Sequence, residues 1–154
     1  MEKQTRRGLL KNAAKAAVAV GGALATQQAQ AQTGRAVKKD ATGKPATQFP
    51  FTPVVSFGNL LFVSGIGCRI EGTIEEETKW VLDEIEKNLA AAGSSLDKVL
   101  KVNVFLEDIK EFDRMNSVYK TRKWGSVFPA RNTVQPAALP AGDHGLAIDC
   151  IAYA

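Results

Sequence analysis

The 154-residue sequence contains few of the side chains that metal sites require. It has one histidine, His144, and two cysteines, Cys68 and Cys150, far apart in the chain. A zinc site usually needs three or four clustered ligands of these types, so the sequence predicts no metal site. Neither a Gly-x-Gly-x-x-Gly fingerprint nor a phosphate-loop pattern occurs, which excludes these two routes to nucleotide binding.

The two cysteines leave alternatives open. A disulfide would suit an exported chain, but nothing in the sequence places the two α-carbons within bonding distance. Cys150 lies in an apolar strand pattern and is expected to be a small core residue. A nucleophilic cysteine–histidine pair is the other alternative, although His144, between Gly142 and Gly145, is expected to be a loop residue.

The sequence also lacks an apolar run long enough to cross a bilayer. Its N-terminal apolar stretch, residues 13–25, contains Lys15 and is too short for roughly 30 Å of hydrocarbon. The stretch follows Thr-Arg-Arg-Gly-Leu-Leu-Lys at 5–11 and precedes Ala-Gln-Ala at 29–31. Such an order is typical of an export signal with a small-residue cleavage site. Residues 1–31 are therefore predicted to be a twin-arginine signal peptide that directs the protein, through the bacterial twin-arginine export machinery, to the periplasm or beyond.

Little excess charge remains once the predicted signal is removed. The formal net charge of +4 suggests an acidic partner such as nucleic acid. However, residues 1–31 contain five of the 20 basic residues and one of the 16 acidic residues, which leaves 15 of each. Because the mature chain is near neutral, its overall charge does not support binding to nucleic acid.

The remaining chain divides into a polar segment, 32–48, predicted to be a flexible leader, and one folded domain, 49–154. Apolar periodicity in this domain predicts the order ββ-α-β-α-ββ. The strands are expected at 54–57, 60–66, 99–106, 130–135 and 146–153, and the helices between Thr73 and Gly93 and over 109–119. This order favours a two-layer α+β fold with both helices on one face of a mixed sheet. The last strand is apolar on both faces, which suggests an oligomer interface.

Two positions are candidate ligand contacts. Arg131 follows Phe-Pro-Ala and enters an apolar strand, where the proline makes the approach rigid. A fixed guanidinium can bind a carboxylate through two parallel hydrogen bonds, although an ordinary surface ion pair is the alternative. Ser64-Gly65 comes at the end of the second strand, where glycine lets the backbone approach a ligand, and a bulge or plain turn is the alternative.

These segments together resemble the RidA (YjgF/reactive-intermediate deaminase) family. The matching motifs are Gly-Asn-Leu-Leu-Phe-Val-Ser-Gly at 58–65, Ala-Ala-Gly-Ser-Ser-Leu-Asp-Lys-Val at 91–99, Val-Phe-Leu at 104–106, Phe112 with Asn116 and Tyr119, Phe-Pro-Ala-Arg-x-Thr-Val at 128–134, and Leu-Pro at 139–140. The resemblance implies a chorismate-mutase-like fold and a homotrimer with clefts between subunits. It also implies hydrolysis of enamines and imines, such as 2-aminoacrylate, to 2-keto acids and ammonia without a metal or organic cofactor.

The resemblance also implies roles for individual residues. Arg131 would be the catalytic residue that holds the substrate carboxylate. Backbone groups at Gly65 and Thr133 would line the site, with Asn116 nearby. The substrate-binding set is completed by two further residues, Ser64 and Phe51.

Three positions depart from the family pattern. Phe51 stands where the family often has a tyrosine, so it offers packing without a hydroxyl, and Ile66 replaces a polar residue. Ala147 stands where active members carry a glutamate that orients water. Asp149 lies on the same strand face but roughly 6–7 Å away, too far simply to replace that glutamate.

The resemblance and the predicted signal peptide together predict an exported hydrolase that deaminates reactive 2-imino and enamine acids. A protein that binds small carboxylates in the same cleft, with weak or no turnover, is the alternative that Ala147 and Phe51 favour. An endoribonuclease-type or chaperone-like relative is the second alternative. The near-neutral mature chain and the predicted export both argue against the ribonuclease.

Overall fold

The computed structural model describes residues 36–43 and 50–154. The predicted signal, 1–31, and residues 32–35 and 44–48 of the predicted leader, 32–48, lie outside the described residues. The elements are β1 (Lys39–Asp40), β2 (Val54–Phe57), β3 (Leu60–Cys68), α1 (Ile74–Ala91), β4 (Val99–Leu106), α2 (Phe112–Tyr119), β5 (Ala130–Val134) and β6 (His144–Tyr153). Within this part of the chain, no helix combines the length and the apolar character that a membrane span needs.

The strands form one mixed sheet in the order β1-β2-β3-β6-β4-β5. β4 and β5 are parallel, and the other neighbouring strands are antiparallel. The hairpin of β2 and β3 turns at Gly58, whose φ of 63° favours glycine. α1 packs against α2, β3 and β6, so the helices form a second layer on the sheet. The predicted two-layer α+β architecture is confirmed.

Side-chain alternation separates a core face, beneath the helices, from the opposite side of the sheet, here called the open face. On β4, Val102 and Val104 are buried on the core face. On β6, residues of both parities are buried, among them Ala147 and Ile148, as the two-sided apolar pattern predicts. The open face also carries exposed apolar side chains such as Phe62.

The two cysteines belong to the core. Cys68 and Cys150 are both free and buried. Burial raises the pKa of the Cys150 thiol to about 12, so this group is protonated at neutral pH. Burial also raises the pKa of the Cys68 thiol. The structure therefore supports the expected core role of Cys150 and neither the disulfide nor a cysteine nucleophile.

Two sequence predictions are corrected by the structure. Lys39–Asp40, placed in the flexible leader, form a strand that pairs with Ser56 and Val55 of β2. Backbone hydrogen bonds alone can hold such a polar edge strand, so it leaves no apolar pattern in the sequence. His144, expected in a loop, is the first residue of β6.

The start of α1 is stabilised by a capping box. The Thr73 hydroxyl accepts the Glu76 N–H at 3.4 Å, and the Glu76 carboxylate accepts the Thr73 N–H at 2.9 Å. We expect Thr73→Ala to lower the free energy of unfolding by about 1 kcal/mol in urea denaturation, because a helix-end donor loses its partner. Ser126→Ala, at an exposed hydroxyl, is the control and should stay within about 0.5 kcal/mol of wild type. Equal stability of both variants would contradict the capping role.

Candidate functional site

Ser64 and Gly65 lie in a bulge of β3, where the register with β6 shifts between Val63 and Ile66. The Ser64 hydroxyl donates to the Thr52 carbonyl oxygen at 2.7 Å, and the Ser64 N–H donates to the Pro53 carbonyl oxygen at 2.9 Å. These bonds fix the bulge and engage the Ser64 hydroxyl structurally. The sequence left two interpretations of Ser64-Gly65, a bulge and a ligand contact. The structure shows the bulge, and the bulge is compatible with a ligand contact at Gly65.

Gly65 lines a cavity of about 240 Å³ on the open face. Ala147 pairs with Gly67 on one side and with Phe105 on the other, and all three contribute to the wall. The remaining wall comes from the segment 136–140 and from Asp143. The cavity is mainly apolar, and Asp143 is the one acidic side chain among its lining residues.

Asp143 is a candidate residue that the sequence analysis missed. Its side chain is only 6% exposed, and one carboxylate oxygen, Oδ1, lies 3.0 Å from the Arg69 guanidinium. That contact is close enough for an ion pair, but it is not aligned as a hydrogen bond, and Oδ1 accepts none. The available signal was Gly-Asp-His-Gly at 142–145, which places an acid directly before the last strand. The alternative carboxylate, Asp149, accepts the Asn103 side-chain N–H at 2.7 Å and does not line the cavity.

Arg131 and Thr133 lie on β5 and face the helix layer. In the parallel register, Arg131 is opposite Val102 and Thr133 is opposite Val104. Both valines belong to the buried core face, so the two β5 side chains project to the same side of the sheet. The two residues therefore lie on the face opposite to the Gly65 cavity.

Aromatic rings of α2 support the Arg131 guanidinium. Its central carbon lies 4.4 Å from the ring centroid of Tyr119 and 5.6 Å from that of Phe112. Tyr119 in turn stacks on Trp124, with a centroid separation of 4.6 Å. Across the described residues, Arg131 makes no ion pair, so the surface ion pair posed as an alternative is absent there. The charge is positioned by cation–π packing.

Two buried hydroxyl groups near Arg131 have no hydrogen-bond partner in the described part of the chain: those of Tyr119 and Thr133. Burial raises the pKa of the Tyr119 hydroxyl to about 12, although the nearby Arg131 charge opposes that shift. Buried hydroxyls are normally paired, so two unpaired hydroxyls beside one guanidinium are unusual, and protein atoms cover both of them in this conformation. Asn116 lies one helical turn from Phe112 and from Tyr119, on the same side of α2.

The structure thus separates the predicted site residues into two groups. The arginine group comprises Arg131, Thr133 and Asn116, between β5 and α2. The cavity group contains Gly65 of the predicted set, together with Ala147 and the unpredicted Asp143. Ser64 supports the cavity group from the bulge. Phe51 is 52% exposed. It does not line the cavity, and it is not one of the two rings that contact the Arg131 guanidinium.

Within 36–43 and 50–154, no group of three or more histidine, cysteine, aspartate or glutamate side chains is arranged to hold a metal ion.

Comparison with known proteins gives concordant matches in sequence and structure. Residues 41–154 match the family model described as Endoribonuclease L-PSP. The chain is 40% identical over 110 residues to Protein mmf2, mitochondrial, of Schizosaccharomyces pombe, covering 67% of this chain and 86% of that protein. It is 35% identical over 108 residues to the 2-iminobutanoate/2-iminopropanoate deaminase of Mus musculus, covering 66% of this chain and 79% of that protein. A crystal structure from the conserved Rid protein family of Yersinia pestis aligns with a TM-score of 0.69 and 30% identity, covering 77% of this chain and 100% of that one.

Proposed function

Because the chain belongs to the Endoribonuclease L-PSP family, also called RidA or YjgF, we propose that it hydrolyses reactive 2-imino and enamine acids. The products would be 2-keto acids and ammonia. The 35% identity to a protein named 2-iminobutanoate/2-iminopropanoate deaminase supports this reaction class.

The position of Arg131 is the observation that carries the proposal. Its guanidinium is held over the Tyr119 and Phe112 rings and has no carboxylate partner among the described residues. A guanidinium fixed by packing keeps its parallel N–H donors available for a ligand carboxylate. A 2-imino acid has that carboxylate directly beside its reactive carbon, so binding at Arg131 also orients the C=N bond for attack by water.

We place the complete site between two subunits. Family members are typically trimers. The arginine group and the cavity group lie on opposite faces of one sheet, so a single chain does not present both to the same small molecule. In a trimer, the arginine group of one subunit and the cavity group of its neighbour would form the two walls of one cleft.

The test is the rate of keto-acid release from imines generated in place. An amino-acid oxidase in excess converts an amino acid to its 2-imino acid, so that hydrolysis of the imine limits the appearance of product. We expect the purified protein to accelerate that step in proportion to its concentration. Release at the spontaneous rate over a wide range of protein concentrations would contradict the proposal.

Binding without turnover is the second candidate function, and Ala147 is the observation that favours it. This residue lines the cavity with a methyl group and so offers no group to orient a water. In that case, a 2-keto acid would raise the Tm of the protein by an amount that grows with its concentration and its affinity, with no acceleration of imine hydrolysis. The same protein sample serves for both measurements.

We also propose that residues 1–31 direct export and are removed. The support is the order of the twin arginines, the apolar segment and the small-x-small site in the sequence. In this proposal the enzyme acts outside the cytoplasm, on imines present there.

A further inference from the structure

The cavity on the open face contains one acidic side chain, Asp143, to which the proposed function assigns no role. Asp143 lies in its wall beside Gly65, Gly67 and Ala147. We propose that Asp143 is the general base of imine hydrolysis and that its carboxylate holds the attacking water in this cavity. The inference rests on the proposed deaminase function and adds a catalytic residue to it.

The first support is a buried carboxylate with unused hydrogen-bonding capacity. The Asp143 side chain is 6% exposed, and its Oδ1 lies 3.0 Å from the Arg69 guanidinium. Its buried Oδ1 accepts no hydrogen bond. The Asp143 N–H donates to the Pro140 carbonyl oxygen at 3.0 Å, which holds the backbone beneath the carboxylate. Because protein atoms cover Oδ1, the attacking water would bind to the other carboxylate oxygen, Oδ2, for which the described residues provide no hydrogen-bond donor.

The second support comes from Gly67 of β3, which lies against the Asp143 side chain. A β-carbon at this position would overlap the carboxyl group of Asp143. Gly67 does not have a positive φ, so its backbone conformation is one that other residues adopt. The missing side chain instead allows the carboxylate to lie directly against β3. Gly67 and Asp143 together place an acid where Ala147 supplies none.

The proposed step is a balanced hydrolysis. The water oxygen bonds to the iminium carbon, the C=N π pair moves to nitrogen, and one water proton passes to the Asp143 carboxylate. Asp143 then returns this proton to the amine nitrogen of the tetrahedral intermediate. The C–N bond breaks as the C=O bond forms, and the hydroxyl proton leaves with ammonia as ammonium. The carboxylate is regenerated, and no oxidant or reductant takes part.

A purely structural ion pair is the competing interpretation of Asp143, and a kinetic experiment separates the two. Asp143→Asn keeps the shape of the side chain and removes the base. We expect kcat to fall by roughly 100-fold or more, while KM and the Tm shift caused by a 2-keto acid stay within about twofold. Asp83→Asn is the matched control, because Asp83 also forms ion pairs, with Lys79 and Arg122, but lies on α1 away from the cavity. We expect its kcat to match that of wild type.

Two further variants test whether Asp143 acts as the base. One replaces its carboxylate by an added one, and the other keeps the carboxylate but moves it. Asp143→Ala leaves space for a small carboxylate, so added formate should restore turnover in a saturable manner and should not accelerate wild type. Gly67→Ala keeps the acid but displaces it, and should lower kcat without loss of keto-acid binding. A structural ion pair would show no rescue by formate.

The outcomes distinguish the two levels of the proposal. A wild-type protein that does not accelerate imine hydrolysis would overturn the deaminase function and, with it, the role of Asp143. An active wild type with Asp143→Asn at more than a third of its kcat would overturn the role of Asp143 alone. The same conclusion would follow if Asp143→Asn lost activity and keto-acid binding together and formate restored nothing to Asp143→Ala.

Discussion

Arg131→Ala is expected to weaken imine hydrolysis and ligand binding together. The substrate carboxylate would lose its charged, two-bonded partner, a loss of about 3 kcal/mol that corresponds to roughly 100-fold in kcat/KM. The stabilisation of the protein by a 2-keto acid should disappear for the same reason. Oxidase-coupled kinetics measures the first effect, and thermal unfolding with and without the keto acid measures the second.

Two companion variants show whether the effect belongs to the guanidinium. Arg131→Lys keeps the positive charge but not the planar pair of donors, so we expect an intermediate loss. Arg114 is an exposed arginine of α2 that forms ion pairs with Glu75 and Glu111. The Arg114→Ala variant should retain full activity. If Arg131→Ala folds and keeps wild-type kcat/KM, Arg131 does not hold the substrate. Loss of keto-acid binding without any wild-type turnover would instead identify a binding protein.

Replacing Arg6 and Arg7 together by lysine is expected to keep the protein in the cytoplasm at its full length. Lysine preserves the charge, so any block of export would show that the guanidinium pair itself is recognised. Cell fractionation followed by immunoblotting measures the distribution between compartments. Mass spectrometry of the exported wild type should show a mature chain that begins at Gln32.

The control for the export experiment is a second basic pair in the predicted leader. Lys38→Arg with Lys39→Arg changes two neighbouring basic side chains as conservatively as the test variant does. We expect this control to be exported and cleaved like wild type. Equal export of both double variants would contradict a twin-arginine signal, and a full-length exported protein would contradict cleavage after Ala31.

Most of the fold could be predicted from the sequence because its elements have strong local patterns. The alternation of 99–106 matches β4 (Val99–Leu106) residue for residue, and α1 begins directly after the predicted Thr73 cap. The strand at Lys39–Asp40 escaped prediction because two polar residues on a sheet edge carry no periodic signal. The extension of β3 from Ile66 to Cys68 was missed because Gly67 carries no side chain and so ends the apolar pattern.

The candidate site could be predicted only in part. Arg131 was visible because a charged residue inside an apolar strand, behind a proline, is unusual. The sequence suggested one site with Arg131, Gly65 and Thr133, whereas the structure places Gly65 on the opposite face from the other two. Period-two alternation reveals which residues of one strand share a face, but not which residues of different strands do.

The sequence by itself determined the confinement of the excess charge to residues 1–31, the two-layer class of the fold and the choice of Arg131 as a candidate ligand contact, because charge, periodicity and local motifs are read along the chain. The tertiary structure decided which rings hold that arginine, that Cys68 and Cys150 stay apart as buried thiols, and that Asp143 shares a cavity with Gly65 and Ala147. These facts depend on strand order and register, which bring together residues far apart in sequence. The acid opposite Gly67 comes from the turn before the last strand, and only the pairing of β3 with β6 places the two in contact.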